Sequence, residues 1–80
     1  MVGAAAMTFD QLRNVNLAEW HAREAIVCMS VGKHDNAEHH LLAAREYLGN
    51  AGQQQGVKFM TADDIAAVCA DAKDAAGIVA

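Results

Sequence analysis

The segment from Leu17 to Leu48 constrains the fold of this chain more than any other part of the sequence. Its apolar residues recur at helical spacing on both sides of residues 32–35, and proline is absent from all 80 residues. A linker this short forces two helices to lie side by side and antiparallel. The segment therefore predicts a helical hairpin.

Capping residues predict where the first helix of this hairpin begins and ends. Thr8 and Gln11 have capping-box spacing, in which the hydroxyl accepts from a backbone amide and the third residue on reaches back. Gly32 can adopt the left-handed conformation that ends a helix. We therefore predict helix 1 over residues 8–31, after a flexible N-terminus over residues 1–7.

A second capping box predicts the start of the next helix. Asp35 is followed three residues later by Glu38, and Gly49 is the first glycine after this pair. These signals predict helix 2 over residues 35–48 and a loop over residues 49–60.

Similar signals delimit a third helix. Thr61 is a good N-cap, Asp63 and Asp64 suit the first turn of a helix, and Gly77 is a suitable terminator. Helix 3 is predicted over residues 61–76. The whole chain is thus predicted to be one all-α domain of three helices built on an antiparallel helical hairpin.

Composition narrows the compartment and the class of partner. The formal net charge is −4, whereas nucleic-acid backbones and anionic membranes reward a basic surface. The two cysteines, Cys28 and Cys69, form no CxxC pair, and each lies among small apolar residues in a predicted helix. We expect buried free thiols, a cytoplasmic location, and neither nucleic acid nor a membrane as partner.

Helix 1 carries two apolar stripes when its residues are placed about 100° apart on a wheel. The first stripe comprises Leu12, Val15, Ala18, Ala22, Ala25, Ile26 and Met29. The second comprises Phe9, Leu17, Trp20, Val27, Cys28 and Val31. One stripe can pack on helix 2, whereas the other must meet helix 3, residues 57–60 or another protein molecule.

The second stripe is the candidate interface. Helix 3 is mostly alanine on its apolar face, so it would cover Trp20 poorly. We predict a partner or protomer interface made of Leu17, Trp20, Val27, Val31 and, on helix 2, Leu42. In the alternative, helix 3 and Phe59 cover this stripe within one chain.

Four residues of helix 1 suggest a different kind of site. Arg13, Asn16, Trp20 and Arg23 lie on a common flank of the helix. An indole between two guanidinium groups can stack a nucleobase while arginine holds a phosphate. In the alternative, Trp20 anchors an interface and the arginines pair with nearby carboxylates.

No catalytic or metal site is predicted. His21, Glu24 and Cys28 share one side of helix 1, but zinc usually takes a fourth ligand. Cys28 and His21 are two helical turns apart, about 10 Å, which is too far for a nucleophile and its base. We expect no cofactor and no enzymatic activity.

The hairpin resembles a single tetratricopeptide-type repeat. Ala25, Gly32, Ala37, Leu41 and Ala44 fall at that repeat's spacing of small and apolar positions. This resemblance implies a helical hairpin that binds rather than catalyses. In its small size, acidity and 18 alanines, the chain is also similar in style to the helical inhibitor proteins that bacteriophages encode.

Taken together, these features predict a non-enzymatic interaction protein. We expect it to assemble as a homo-oligomer and to bind a protein partner, as a small inhibitor or adaptor. The alternative is an oligomeric small-ligand binder that sequesters a nucleotide-like anion between protomers.

Overall fold

The computed structural model describes residues 7–52 and 56–77, and these residues form an all-helical fold, as predicted. Three α-helices follow one another: α1 (Phe9–Ser30), α2 (His34–Asn50) and α3 (Ala62–Ala75). A single 3₁₀ turn, Val57–Phe59, precedes α3. The flexible N-terminus predicted over residues 1–7 lies outside the described residues except for Met7, which packs against the core.

The caps predicted for α1 and α3 are confirmed. The Thr8 hydroxyl accepts from the Gln11 amide at 3.0 Å, and the Gln11 side chain accepts from the Thr8 amide at 2.9 Å. Thr61 caps α3 through the same reciprocal pair of bonds. Gly32 and Gly77 follow the two helices in the left-handed conformation.

The start of α2 differs from the prediction, because the turn that closes α1 leaves no room for a separate cap. The Lys33 amide donates to the Cys28 carbonyl at 2.8 Å, which satisfies one of the last carbonyls of α1. Lys33 is also the N-cap of α2 and makes no side-chain capping bond, and the helix begins at His34. Asp35 therefore lies in the first turn, where its negative charge still favours the helix N-terminus.

The end of α2 differs from the prediction as well, because the helix extends past the predicted last residue, Leu48. The helix runs through Gly49 to Asn50, although an interior glycine costs about 1 kcal/mol relative to alanine. Ala51, the C-cap, is buried in the core, and Gly52 then takes the left-handed conformation. Burial of Ala51 thus favours a longer helix than the glycine alone would predict.

The core is small and rich in alanine. α1 packs against both α2 and α3 along its length, whereas α2 and α3 touch each other less. The main buried cluster consists of Val15, Ala18, Ala22, Ala44, Leu48, Ala51, Ile65 and Cys69. Two residues of the first stripe of helix 1, Ile26 and Met29, are exposed instead of buried.

Truncating Leu48, which is fully buried, should destabilise the fold strongly. We expect Leu48→Ala to lower the free energy of unfolding by about 3 kcal/mol, through lost burial and the cavity left behind. Leu42→Ala is the matched control, because Leu42 lies on the same helix and is 53% exposed. Urea unfolding followed by far-UV circular dichroism should show that the control loses less than about 0.5 kcal/mol of its free energy of unfolding. Equal losses in the two variants would contradict the described core.

Candidate interaction surface

The side of α1 opposite the core carries a line of exposed apolar side chains. Trp20 is 53% exposed, Val27 56%, Val31 63% and Phe9 82%. At about 100° per residue, Trp20 lies about 180° from the centre of the buried positions of α1. We call these four residues, together with Leu17, the outer stripe of α1. Much of the apolar surface of the outer stripe is not covered by the other described residues and remains in contact with water.

α3 does not cover the outer stripe, because it is attached to a flank of α1. Lys73 of α3 forms an ion pair with Glu19 and donates to the Asn16 side chain at 3.2 Å. The 3₁₀ turn contacts α2 instead, and its Phe59 is 78% exposed. Neither element therefore shelters the indole of Trp20.

The structure does not bring all five predicted interface residues onto one surface. Trp20, Val27 and Val31 share the outer stripe, and Leu17 lies beside them, partly buried. Leu42 is exposed, but it lies about 200° around α2 from His40, the residue of α2 that adjoins Trp20. Leu42 thus faces a different direction and does not extend the outer stripe.

A cluster of rings joins α1 to α2 beside Trp20. The Nδ1 atoms of His21 and His40 lie 3.0 Å apart, within hydrogen-bond distance. The His21 ring stacks on Tyr47 at 5.5 Å between centroids, with only 10° between the planes. The indole of Trp20 meets both imidazoles edge-on, at 4.9 Å from His21 and 5.7 Å from His40. These contacts hold the indole at the surface in a defined orientation.

Sequence patterns did not reveal this pair of histidines. The sequence pattern groups His21 only with Glu24 and Cys28, which lie on its own helix. The available signal was that His21 and His40 lie 11 and 8 residues from Gly32 on helices predicted to be antiparallel, within about one helical turn of the same height. That signal gives their height along the hairpin but not the rotation of each helix.

The histidine bond depends on protonation. One ring must donate its Nδ1 proton while the other accepts, so the bond is lost when both rings are charged. Burial is the main cause that lowers the pKa of His21, and the charge of His40 lowers it further, while Glu24 partly opposes both. The neutral form of His21 is therefore favoured in the folded chain.

The flank of α1 that faces α3 carries an ionic network. Glu19 accepts from Arg23 at 2.9 Å and from Lys73 of α3. Burial alone would raise the pKa of Glu19, but the hydrogen bonds and charges of Lys73 and Arg23 outweigh it, so the pKa is lowered. Glu19 thus remains ionised and links α3 to α1.

The predicted anion site is occupied by internal contacts. Arg13, Asn16, Trp20 and Arg23 do lie along the outer side of α1. Arg13 forms an exposed ion pair of 3.5 Å with Asp10, Arg23 pairs with Glu19, and Asn16 accepts from Lys73. Both guanidinium groups therefore already have carboxylate partners.

A groove lies on a different side of the hairpin. It has a volume of about 740 Å³ and runs between the second half of α1, the first half of α2 and the start of α3. Its apolar lining includes Ile26, Met29 and Leu41, and Arg45 and Asp63 border it. Ile26 and Met29 line this groove rather than the core, which explains their exposure.

The Cys69 thiol is free and fully buried in the core. Burial raises the pKa of the Cys69 thiol to about 11, with Glu19 adding to the shift and Lys73 opposing it. Within residues 7–52 and 56–77, no three histidine, cysteine or carboxylate side chains are grouped to hold a metal ion. No helix in this part of the chain is long and apolar enough to cross a membrane.

Comparisons with protein-family models, with curated proteins and with solved structures found no match to this chain. Its function must therefore be inferred from its own surface.

Acidification should weaken the hairpin through His21. Because the pKa of His21 is lowered in the folded chain, the unfolded chain binds more protons once the pH falls below the ordinary value of 6.5. We therefore expect the free energy of unfolding to be highest above pH 6.5 and to decrease as the pH falls below 6.5. The His21→Gln variant should show a smaller dependence of this free energy on pH. Urea unfolding at pH values from about 5.5 to 7.5 measures the effect and lies above the range in which Glu19 titrates in the unfolded chain.

The matched control for this experiment is His39→Gln, because His39 is exposed on the same hairpin. It should keep the pH dependence of the wild type. If His39→Gln and His21→Gln changed the slope equally, the histidine bond between α1 and α2 would not be its source.

Proposed function

We propose that this chain is a non-enzymatic protein-interaction module that associates with itself and with a protein partner through the outer stripe of α1. The observation that carries the proposal is the exposure of Trp20, Val27 and Val31 on the side of α1 that faces away from the core. Exposed apolar surface bordered by polar residues is typical of interaction sites. Tryptophan is also among the residues that contribute most to interface energies.

The small core supports association. Several of its buried residues are alanines, and the largest fully buried side chains are Leu48, Ile65, Val15 and Cys69. A chain of 80 residues gains only modest stability from such a core, and oligomerisation is a common way to bury more apolar area. The apolar side chains of α1 that remain exposed are the ones such an assembly would bury.

The orientation of Trp20 also supports a binding role. His21 and His40 contact the indole edge-on, while about half of the side chain stays accessible. A side chain that is already ordered loses less conformational entropy when a partner binds. Trp20 is therefore suited to anchor an interface.

We further propose that the module acts in the cytoplasm as a small inhibitor or adaptor. Its support is the combination of small size, acidity and an apolar binding stripe on a single helix. A binder of this kind acts by covering a surface of another protein, which requires no catalytic residues. The apolar stripe would supply the affinity, and the charges beside it would supply specificity.

The alternative, a nucleotide-like anion held between protomers, has less support. Arg13 and Arg23 would have to give up Asp10 and Glu19 before they could hold a phosphate. Trp20 would still supply a stacking surface, because its indole is accessible. We therefore place this function second.

Replacing Trp20 tests the proposed function. We expect Trp20→Ala to weaken self-association, measured by sedimentation velocity, by about 2 kcal/mol or roughly 30-fold, because a central tryptophan anchor is lost. Phe59→Ala is the control, since Phe59 is an aromatic residue outside the outer stripe that is even more exposed than Trp20 (78% against 53%). The helical signal in far-UV circular dichroism should persist in both variants.

Capture of other proteins from a cell lysate extends the same comparison between the wild type, Trp20→Ala and Phe59→Ala. A specific partner should be retained by the wild type and by Phe59→Ala but lost by Trp20→Ala. The proposal fails if Trp20→Ala changes neither self-association nor capture. A nucleotide that raises the melting temperature of the wild type but not of Arg23→Ala would favour the alternative.

A further inference from the structure

The outward side of α1 has the spacing of a coiled-coil contact line. Its positions 13, 17, 20, 24, 27 and 31 are separated alternately by four and three residues, the pattern of heptad a and d positions. The side chains at these positions are Arg13, Leu17, Trp20, Glu24, Val27 and Val31. None of the six is fully buried within its own chain. The line is thus apolar except for one cation and one anion.

The two charges favour one orientation of a second copy of this helix. In a parallel pair, Arg13 would face Arg13 of the partner subunit, and like charges placed opposite each other are unfavourable. In an antiparallel pair of identical helices, the residue numbers of two facing positions always add up to the same value, which defines the register. A sum of 37 places Arg13 opposite Glu24 of the partner subunit and Leu17 opposite Trp20 of the partner subunit. Two-fold symmetry then produces each of these contacts twice.

This register also accounts for the most exposed residue at the start of α1. Asp10 would lie opposite Val27 of the partner subunit, and Phe9, which is 82% exposed, would lie next to that position. The two helices would overlap over about 20 residues, or about 30 Å. Shifting the register by one heptad would instead place Glu24 against Trp20 of the partner subunit, where a buried carboxylate would lack a partner.

The contact that Arg13 makes within its own chain would be easily exchanged. Its ion pair with Asp10 is 3.5 Å long, and both side chains are largely exposed. Exposed pairs of this kind contribute little stability.

We propose that the outer stripe of α1 forms a two-fold antiparallel interface with a second copy of this chain. In this interface Arg13 pairs with Glu24 of the partner subunit, and Leu17 packs on Trp20 of the partner subunit. The inference rests on the proposed function and adds the identity of one partner, its orientation and its register.

Charge reversal tests this register. Arg13→Glu alone and Glu24→Arg alone each place like charges opposite one another at both symmetry-related positions. Each variant should associate about tenfold more weakly than the wild type in sedimentation equilibrium. An equimolar mixture of the two variants should form a heterodimer of near wild-type affinity. The doubly reversed chain R13E/E24R should form a homodimer of near wild-type affinity, because opposite charges again face each other. Glu46→Arg, an exposed change on α2, is the control and should leave association unchanged.

Several outcomes would overturn the inference. A wild-type chain that is monomeric at about 100 μM would do so, since that concentration detects even weak dimers. Single variants that associate as tightly as the wild type would also do so, because a parallel pair or a shifted register predicts no such loss. A mixture that fails to recover would rule out opposition of Arg13 and Glu24. Far-UV circular dichroism of each variant verifies that α1 is intact.

This failure is distinguishable from failure of the proposed function. A monomeric wild type that still captures another protein through Trp20 would end the dimer but leave the interaction module standing. Self-association that depends on Trp20 but not on the two charges would likewise refute only the register.

Discussion

The close approach of α1 to its neighbours determines most of this structure. Ala18, Ala22 and Ala44 are completely buried, and side chains this small let helix backbones lie near one another. Each alanine, however, removes little apolar area from water. The interior is therefore filled without using the larger residues Trp20 and Val27, which remain outside. A small core and an exposed stripe are two consequences of the same choice of residues.

The ends of α1 and α3 could be predicted because local bonds determine them. Thr8 and Thr61 cap their helices through residues three positions away, and such bonds depend on little else. α2 was predicted less accurately at both ends. Its start depends on how the Lys33 amide helps to close α1, and its end depends on burial of Ala51. Competition between neighbouring elements is not visible in the pattern of one helix.

In the candidate surface, too, features set by one helix could be predicted, whereas features set by contacts between helices could not. The exposure of Trp20 follows from two facts present in the sequence, its position opposite the alanines of helix 1 and the small side chains of helix 3. The bond between His21 and His40 requires the relative rotation of two helices, which the wheel of a single helix does not specify. For the same reason, Leu42 was placed with Trp20 although α2 turns it elsewhere. Contacts across helices thus mark the limit of sequence reasoning for this chain.

One side of α1 remains uncovered by the described residues, because α2 and α3 are held against its other sides. Lys73 attaches α3 to the flank of α1 that carries Glu19, and the pair of His21 and His40 attaches α2 to the opposite flank. Between these flanks the outer stripe would be covered only by a further helix, and the described chain does not place one there. In a bundle each helix buries its apolar face against others, so a helix with two apolar stripes requires contacts on both sides. A second copy of α1 would supply the missing contact and would bury the same stripe on both chains.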